Sequence, residues 1–144
     1  MAHTDHRQIE YLLYEYARRV DAGDFTGVGT MFEHGTFGTG DARLAGREIA
    51  DVLRSTVILY DDGTPRTRHV TTNVAIEVDG DNATAVSYFT VLQSMPDGAI
   101  QTIVAGHYED AFERAEHGWR FTSRIVHSNL VGDVSAHLTV NPFT

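Results

Sequence analysis

The apolar residues of this chain change their spacing once, near residue 66, and that switch restricts the fold more than any other feature. Before it, Ile9, Leu12, Leu13, Tyr16, Ala17 and Val20 recur at i, i+3, i+4, i+7 and i+8, the signature of one helical face seeking a core. After it the period is two: Val70, Val74, Ile76 and Val78 alternate with His69, Thr71, Asn73 and Glu77. Helices gathered at one end and strands at the other specify an α+β domain.

The first helix has a capping-box-like start at Asp5 and Gln8 and a stop at Gly23, which places Asp21 in its last turn. Asp24 can cap a second, short helix through Met31, with Phe25, Val28, Met31 and Phe32 as its apolar side. Short extended pieces are expected at 34–40 and 43–46, and a third helix at 46–60, with Ile49, Val52, Leu53, Thr56, Val57 and Tyr60 on one side. Strands follow from residue 66 to the turn at 79–82, then at 83–93, 99–112 and 119–131, separated by turn-forming segments. These four make an antiparallel meander. A strongly curved, mainly antiparallel sheet wrapped on three helices leaves a central cavity, the kind of place where small ligands bind. The segment 132–144 has no clear period and is expected to be an irregular tail or to pack on a neighbour.

Composition excludes several classes. A chain of 144 residues is the size of one domain, here 1–144, and can bury about 68 to 70% of its unfolded surface without staples. No cysteine is present, so there is no disulfide, thiolate metal site or cysteine nucleophile. A formal charge of -9 with no lysine argues against nucleic acid, whose phosphates require a basic stripe. The uncharged run 82–96 falls short of the roughly 20 apolar residues that span a bilayer, and the polar N-terminus lacks the apolar run of a signal peptide. The expectation is a cytoplasmic protein that binds neither membrane nor nucleic acid.

Asp21 is the first residue whose position demands a reason. A carboxylate in the last turn faces the negative end of the helix dipole, at a cost of about 0.3 to 1 kcal/mol, so a cationic or imidazole partner is expected from elsewhere in the fold. His69, at the start of the first long strand, can be that partner: one imidazole nitrogen donates to the carboxylate and the other is left as a base. A solvent-facing histidine and a solvated helix terminus are the ordinary alternative. Arg124, on the last strand, is either a solvated strand arginine or a cation that stabilises developing negative charge. Tyr16 belongs to the apolar helix face, so only its hydroxyl is free to take part in chemistry. His107 and His127 on adjacent strands invite a metal reading together with His69, but no His-x-His or His-x-x-x-His spacing supports it. The glycines at 27, 29, 35, 38 and 40 match neither a phosphate-binding loop nor a nucleophile elbow.

Three motifs carry a family likeness: Tyr16-x4-Asp21, Arg68-His69-x3-Asn73, and Gly118-Trp119-Arg120-Phe121-x2-Arg124. Together with the order of elements they resemble the SnoaL-like branch of the nuclear transport factor 2-like superfamily, over about residues 5–131. Within it the chain is most similar to scytalone dehydratase, hexachlorocyclohexane dehydrochlorinase and bile-acid 7α-dehydratase. The resemblance implies a cone-shaped fold and a cofactor-free lyase with a His69-Asp21 dyad. It further implies Arg124 and Tyr16 as catalytic partners, no metal, a small hydrophobic or cyclic substrate, and a homotrimer or homodimer. An isomerase using the same base is the related alternative; a small-molecule-binding or oxygenase-accessory subunit is the non-catalytic one. Scytalone dehydratase has a second catalytic histidine where this chain has Gln93 and Ser94, so its particular substrate does not carry over.

Overall fold

The computed structural model describes residues 2–143; Met1 and Thr144, which belong to the expected domain and tail, lie outside the described residues. Helices α1 (Ala2–Asp21), α2 (Phe25–Met31) and α3 (Gly46–Thr56) are joined by strands β1 (Thr36–Thr39), β2 (Ala42–Ala45), β3 (Thr67–Asp79), β4 (Asn82–Ser94), β5 (Ile100–Ala115) and β6 (Gly118–Val131). They form the α+β architecture read from the period switch. The strands make one open sheet of order β2-β1-β6-β5-β4-β3, in which β1 runs parallel to β6 and every other pair is antiparallel.

The apolar stripe of α1 does what its spacing requires: Ile9, Leu13, Tyr16 and Val20 are buried against Phe89, Val91, Tyr108, Phe112 and Phe121 of the sheet. Asp24 caps α2 by accepting the Gly27 amide at 2.9 Å. Gly23 takes φ +74, and a Cβ there would stand 2.2 Å from the Gly63 carbonyl oxygen, so the α1 stop requires glycine on both counts.

Several boundaries differ from those expected. Helix α1 begins at Ala2, so Asp5 is inside its first turn and does not act as a cap. It accepts instead from Arg114 at 2.9 and 3.2 Å and from the Trp119 indole at 3.1 Å, while Gln8 accepts the Trp119 amide at 3.3 Å. The start of α1 is thus tied to the β5–β6 turn, and the hydrogen bonds from Arg114 and Trp119 hold the Asp5 carboxyl down at about 2. Helix α3 ends at Thr56 rather than residue 60, because the next backbone groups pair with the tail: Ile58 donates to the His137 carbonyl at 2.8 Å and Thr139 donates to Thr56 at 2.9 Å. The tail is therefore part of this chain's own core, with Val134 and Ala136 buried.

Strict alternation also fails along β3. The pairing with β4 shifts by one between Thr72 and Ala75, and Asn73 sits in the left-handed region at φ 53. This bulge puts His69 and Thr71 on the same inner face as Val74, Ile76 and Val78, whereas Val70 points outward. Further shifts at Val91/Leu92, Ala105/Gly106 and Ala111/Phe112 give the sheet the irregularities that bend strands around helices.

Candidate active site

The partner that Asp21 requires is His69. The end of α1 lies against the start of β3, and Asp21 Oδ1 stands 2.6 Å from His69 Nδ1. The carboxylate is then filled out by two more donors, the Thr67 hydroxyl at 2.9 Å to Oδ1 and the His69 backbone N–H at 2.9 Å to Oδ2. With Nδ1–H given to the carboxylate, the neutral ring keeps its lone pair on Nε2. Both side chains are only 10% exposed, so the pair is shielded from bulk water, which strengthens it.

Asp21 and His69 line a cleft of about 440 Å³ together with Tyr14, Ala17, Arg18 and Arg68. Asp21 also borders a second space of about 560 Å³ with Thr67, Arg66 and Gln93. Tyr16 and Arg124 line neither, so the structure does not gather all four expected residues around one of these spaces.

Arg124 is not the solvated arginine of an ordinary strand. Its Nε and Nη2 bond Asp110 Oδ1 and Oδ2 at 2.8 and 2.9 Å, a bidentate pair with both side chains at 0% exposure. Aromatic rings enclose the guanidinium: Tyr108 at 3.6 Å, Tyr16 at 4.4 Å and Phe121 at 5.2 Å from their centroids. Burial disfavours the Arg124 charge, but the Asp110 carboxylate outweighs it and raises the group above its ordinary value. Burial raises the Asp110 carboxyl, with Arg124 opposing. Nη1 of Arg124 is buried without a hydrogen-bond partner among the described residues. The Tyr16 hydroxyl is raised by burial, with the Arg124 charge opposing and the Asp110 and Asp21 charges adding to the rise, so the tyrosine is neutral at pH 7 and its hydroxyl can donate or accept a hydrogen bond.

Two residues of this region escaped the sequence reading. Asp110 could have been found, since it falls between Tyr108 and Phe112 on the buried face of β5, and a charge on an apolar face needs a partner. His137 lies in the tail, outside any periodic pattern. It is 8% exposed, its Nδ1 has no hydrogen-bond partner among the described residues, and burial together with the nearby charge of His69 pushes its imidazole down to about 4. Gln93 holds it there: the amide donates to the Pro65 and Ala136 carbonyls at 3.1 and 2.9 Å, bridging the approach to β3 and the tail. The Tyr60 hydroxyl adds a hydrogen bond to the same Ala136 carbonyl. Gln93 on β4 thus anchors the tail segment that contains His137.

A sequence profile of the SnoaL-like domain matches residues 1–125. The chain belongs to the SnoaL-like family. Solved structures extend this to the nuclear transport factor 2-like fold. A protein from Novosphingobium aromaticivorans described as nuclear transport factor 2-like with a cystatin-like fold is 22% identical, with TM-score 0.74, and the match covers 92% of this chain and 86% of that one. From the same organism, the β subunit of a provisionally named aromatic-ring-hydroxylating dioxygenase is 19% identical, with TM-score 0.73 and coverages of 90% and 92%. A provisionally named scytalone dehydratase, again from that organism, is 18% identical, with TM-score 0.72 and coverages of 90% and 87%. No curated protein matches the chain. Among the described residues no helix is long and apolar enough to cross a membrane.

Proposed function

We propose that the protein is a cofactor-independent lyase that eliminates water or another HX from a cyclic or carbonyl-bearing small molecule. The observation that carries this reading is the 2.6 Å bond between Asp21 and His69, shielded from water and beside a cleft large enough for a single-ring substrate. His69 Nε2 removes the carbon-bound proton, the released electron pair forms the new double bond, and the leaving group departs with its bonding pair. Asp21 keeps the proton of His69 on Nδ1 and stabilises the imidazolium that forms, as the buried aspartate does in hydrolase triads. The roles of Tyr16 and Arg124 as donors for the oxygen on which charge develops rest on the family resemblance, since neither lines the cleft beside the dyad. The similarity to a provisionally named scytalone dehydratase supports the reaction class. Assembly as a homotrimer or homodimer accompanies this reading through the same family, and sedimentation velocity measures it.

The test is a screen of hydroxylated and halogenated cyclic compounds with product analysis: loss of water or halide supports a lyase, and conserved mass points to an isomerase using the same base. His69→Ala is expected to lower turnover by about 10²- to 10⁴-fold while the chain remains folded. Unchanged turnover in that variant would remove the dyad from the chemistry. The second reading, an oxygenase-accessory subunit, is favoured by the similarity to a dioxygenase β subunit and by the exposed Val86 and Tyr88 on the outer sheet face. Copurification with a larger oxygenase subunit, and no turnover in the screen, would select it.

A further inference from the structure

Three side chains on the outer face of the sheet converge without any role in the chemistry above. His107 and His127 are directly opposite each other in the β5–β6 ladder, and Glu109 is two residues along β5 on the same face. The side chains that alternate with them point inward: Tyr108 and Asp110 are in the buried core, and His69 belongs to that inner face as well. We propose that His107, Glu109 and His127 form a binding site for a divalent cation of the Zn²⁺ class.

One ligand atom from each residue lies within 4.8 Å of the others. A tetrahedral zinc ion with bonds of about 2.0 to 2.1 Å needs its ligands about 3.3 Å apart, so side-chain rotation must close the gap. That rotation is available because His107 and His127 are half-buried and Glu109 is exposed. The two imidazole rings are stacked with centroids 4.4 Å apart and planes within 7°, and because their lone pairs lie in the ring planes, at least one ring must leave the stack for both to meet one ion.

Two further observations favour a cation there. Asn129 Oδ1 stands 2.8 Å from His107 Nδ1; a carbonyl oxygen only accepts, so the proton is on Nδ1 and the Nε2 lone pair is free. This is the outer-shell contact that orients metal-ligating histidines. His127 Nε2 is buried with no hydrogen-bond partner among the described residues, 3.5 Å from Glu109 Oε2. A metal ion placed between them satisfies that nitrogen and neutralises the carboxylate. Two imidazoles and one carboxylate are a zinc donor set that leaves a fourth position for water. The chain's formal charge of -9 favours cation uptake.

The experiment is isothermal titration of the full chain with ZnCl₂ in a non-chelating buffer, beside NMR of the histidine rings. One site is expected, with His107 and His127 resonances shifting. His127→Ala and His107→Ala should each weaken binding by more than about tenfold, and Asn129→Ala by about 10- to 100-fold through loss of ring orientation. His69→Ala should bind zinc as the parent does, whatever becomes of the elimination chemistry. Thermal melts confirm that each variant is folded. Absence of zinc binding overturns the proposal, as does affinity unchanged in both outer-face histidine variants or lost in His69→Ala.

Discussion

Asp110 and Arg124 are a full charge pair with no exposure to solvent, and the consequence of cutting the pair differs from that of replacing it. Asp110→Ala leaves a guanidinium buried among Tyr16, Tyr108 and Phe121 with no counter-ion, which is expected to cost about 3 to 5 kcal/mol in urea unfolding. A double variant, Asp110→Leu with Arg124→Met, removes both desolvated charges and should recover most of that loss. If the single and double variants are equally destabilised, the site depends on aromatic packing over the guanidinium rather than on ion pairing. This pair also marks a limit of sequence reading at single-residue scale. Asp21 was legible because a carboxylate at a helix C-terminus conflicts with the dipole, and a local conflict can be seen without a fold. The placement of Arg124 was not, because the register shift at Ala111/Phe112 decides which residues of β5 and β6 face each other, and a bulge leaves no mark in an alternating pattern.

The C-terminal tail is an element without regular structure, yet it has a definite dependence on pH. The His137 imidazole is about 4 in the folded chain against an ordinary value of about 6.5, so between these values the unfolded chain binds the extra proton. Stability is therefore complete above about 6.5 and falls as pH drops towards 4, by about 3 kcal/mol in all. The charges that act on His137 are those of His69, which opposes its protonation, and Asp21, which favours it, so its titration is coupled to the dyad. On lowering the pH to 5, protection against hydrogen exchange, taken relative to the intrinsic rate at each pH, should fall first at the Ile58 and Thr139 amides, which hold the tail, and His137→Gln should flatten the dependence. Protection at these amides that does not change with pH would mean the tail opens independently of its histidine. The early end of α3 has the same origin: the apolar pattern continued through Val57 and Tyr60, but the backbone there is claimed by the tail, a contact between distant residues that periodicity cannot report.

At the scale of the molecule, the first helix is joined to the β5–β6 turn through charge. Asp5 in α1 reaches Arg114 and Trp119, 109 and 114 positions along the chain, and Arg114 also bonds Asp81 at 3.1 Å and stacks over Trp119 with its guanidinium 4.6 Å from the ring. Because this cluster is solvent-facing, salt should weaken it. Asp5→Asn is expected to lower the melting temperature at low ionic strength, with the difference shrinking in about 1 M NaCl, where charges are screened beyond about 3 Å. A difference independent of salt would assign the effect to the indole hydrogen bond alone. The period switch predicted the layered architecture, since it reflects every core-facing residue at once, whereas these joins rest on single side chains.

The bulge at Asn73 gives β3 two reading frames. Up to Thr71 the odd-numbered positions face the helices, and from Val74 the even-numbered ones do. A strand with one frame would have to trade His69 against Val74, Ile76 and Val78, since each would turn the other to solvent. The extra residue uncouples them, so the polar mouth and the apolar floor of the same strand can vary separately. Loss of a single residue between Thr71 and Val74 would remove the bulge and bring both sets onto one regular inner face, so the strand would lose its bend and the spacing between mouth and floor rather than its inner face.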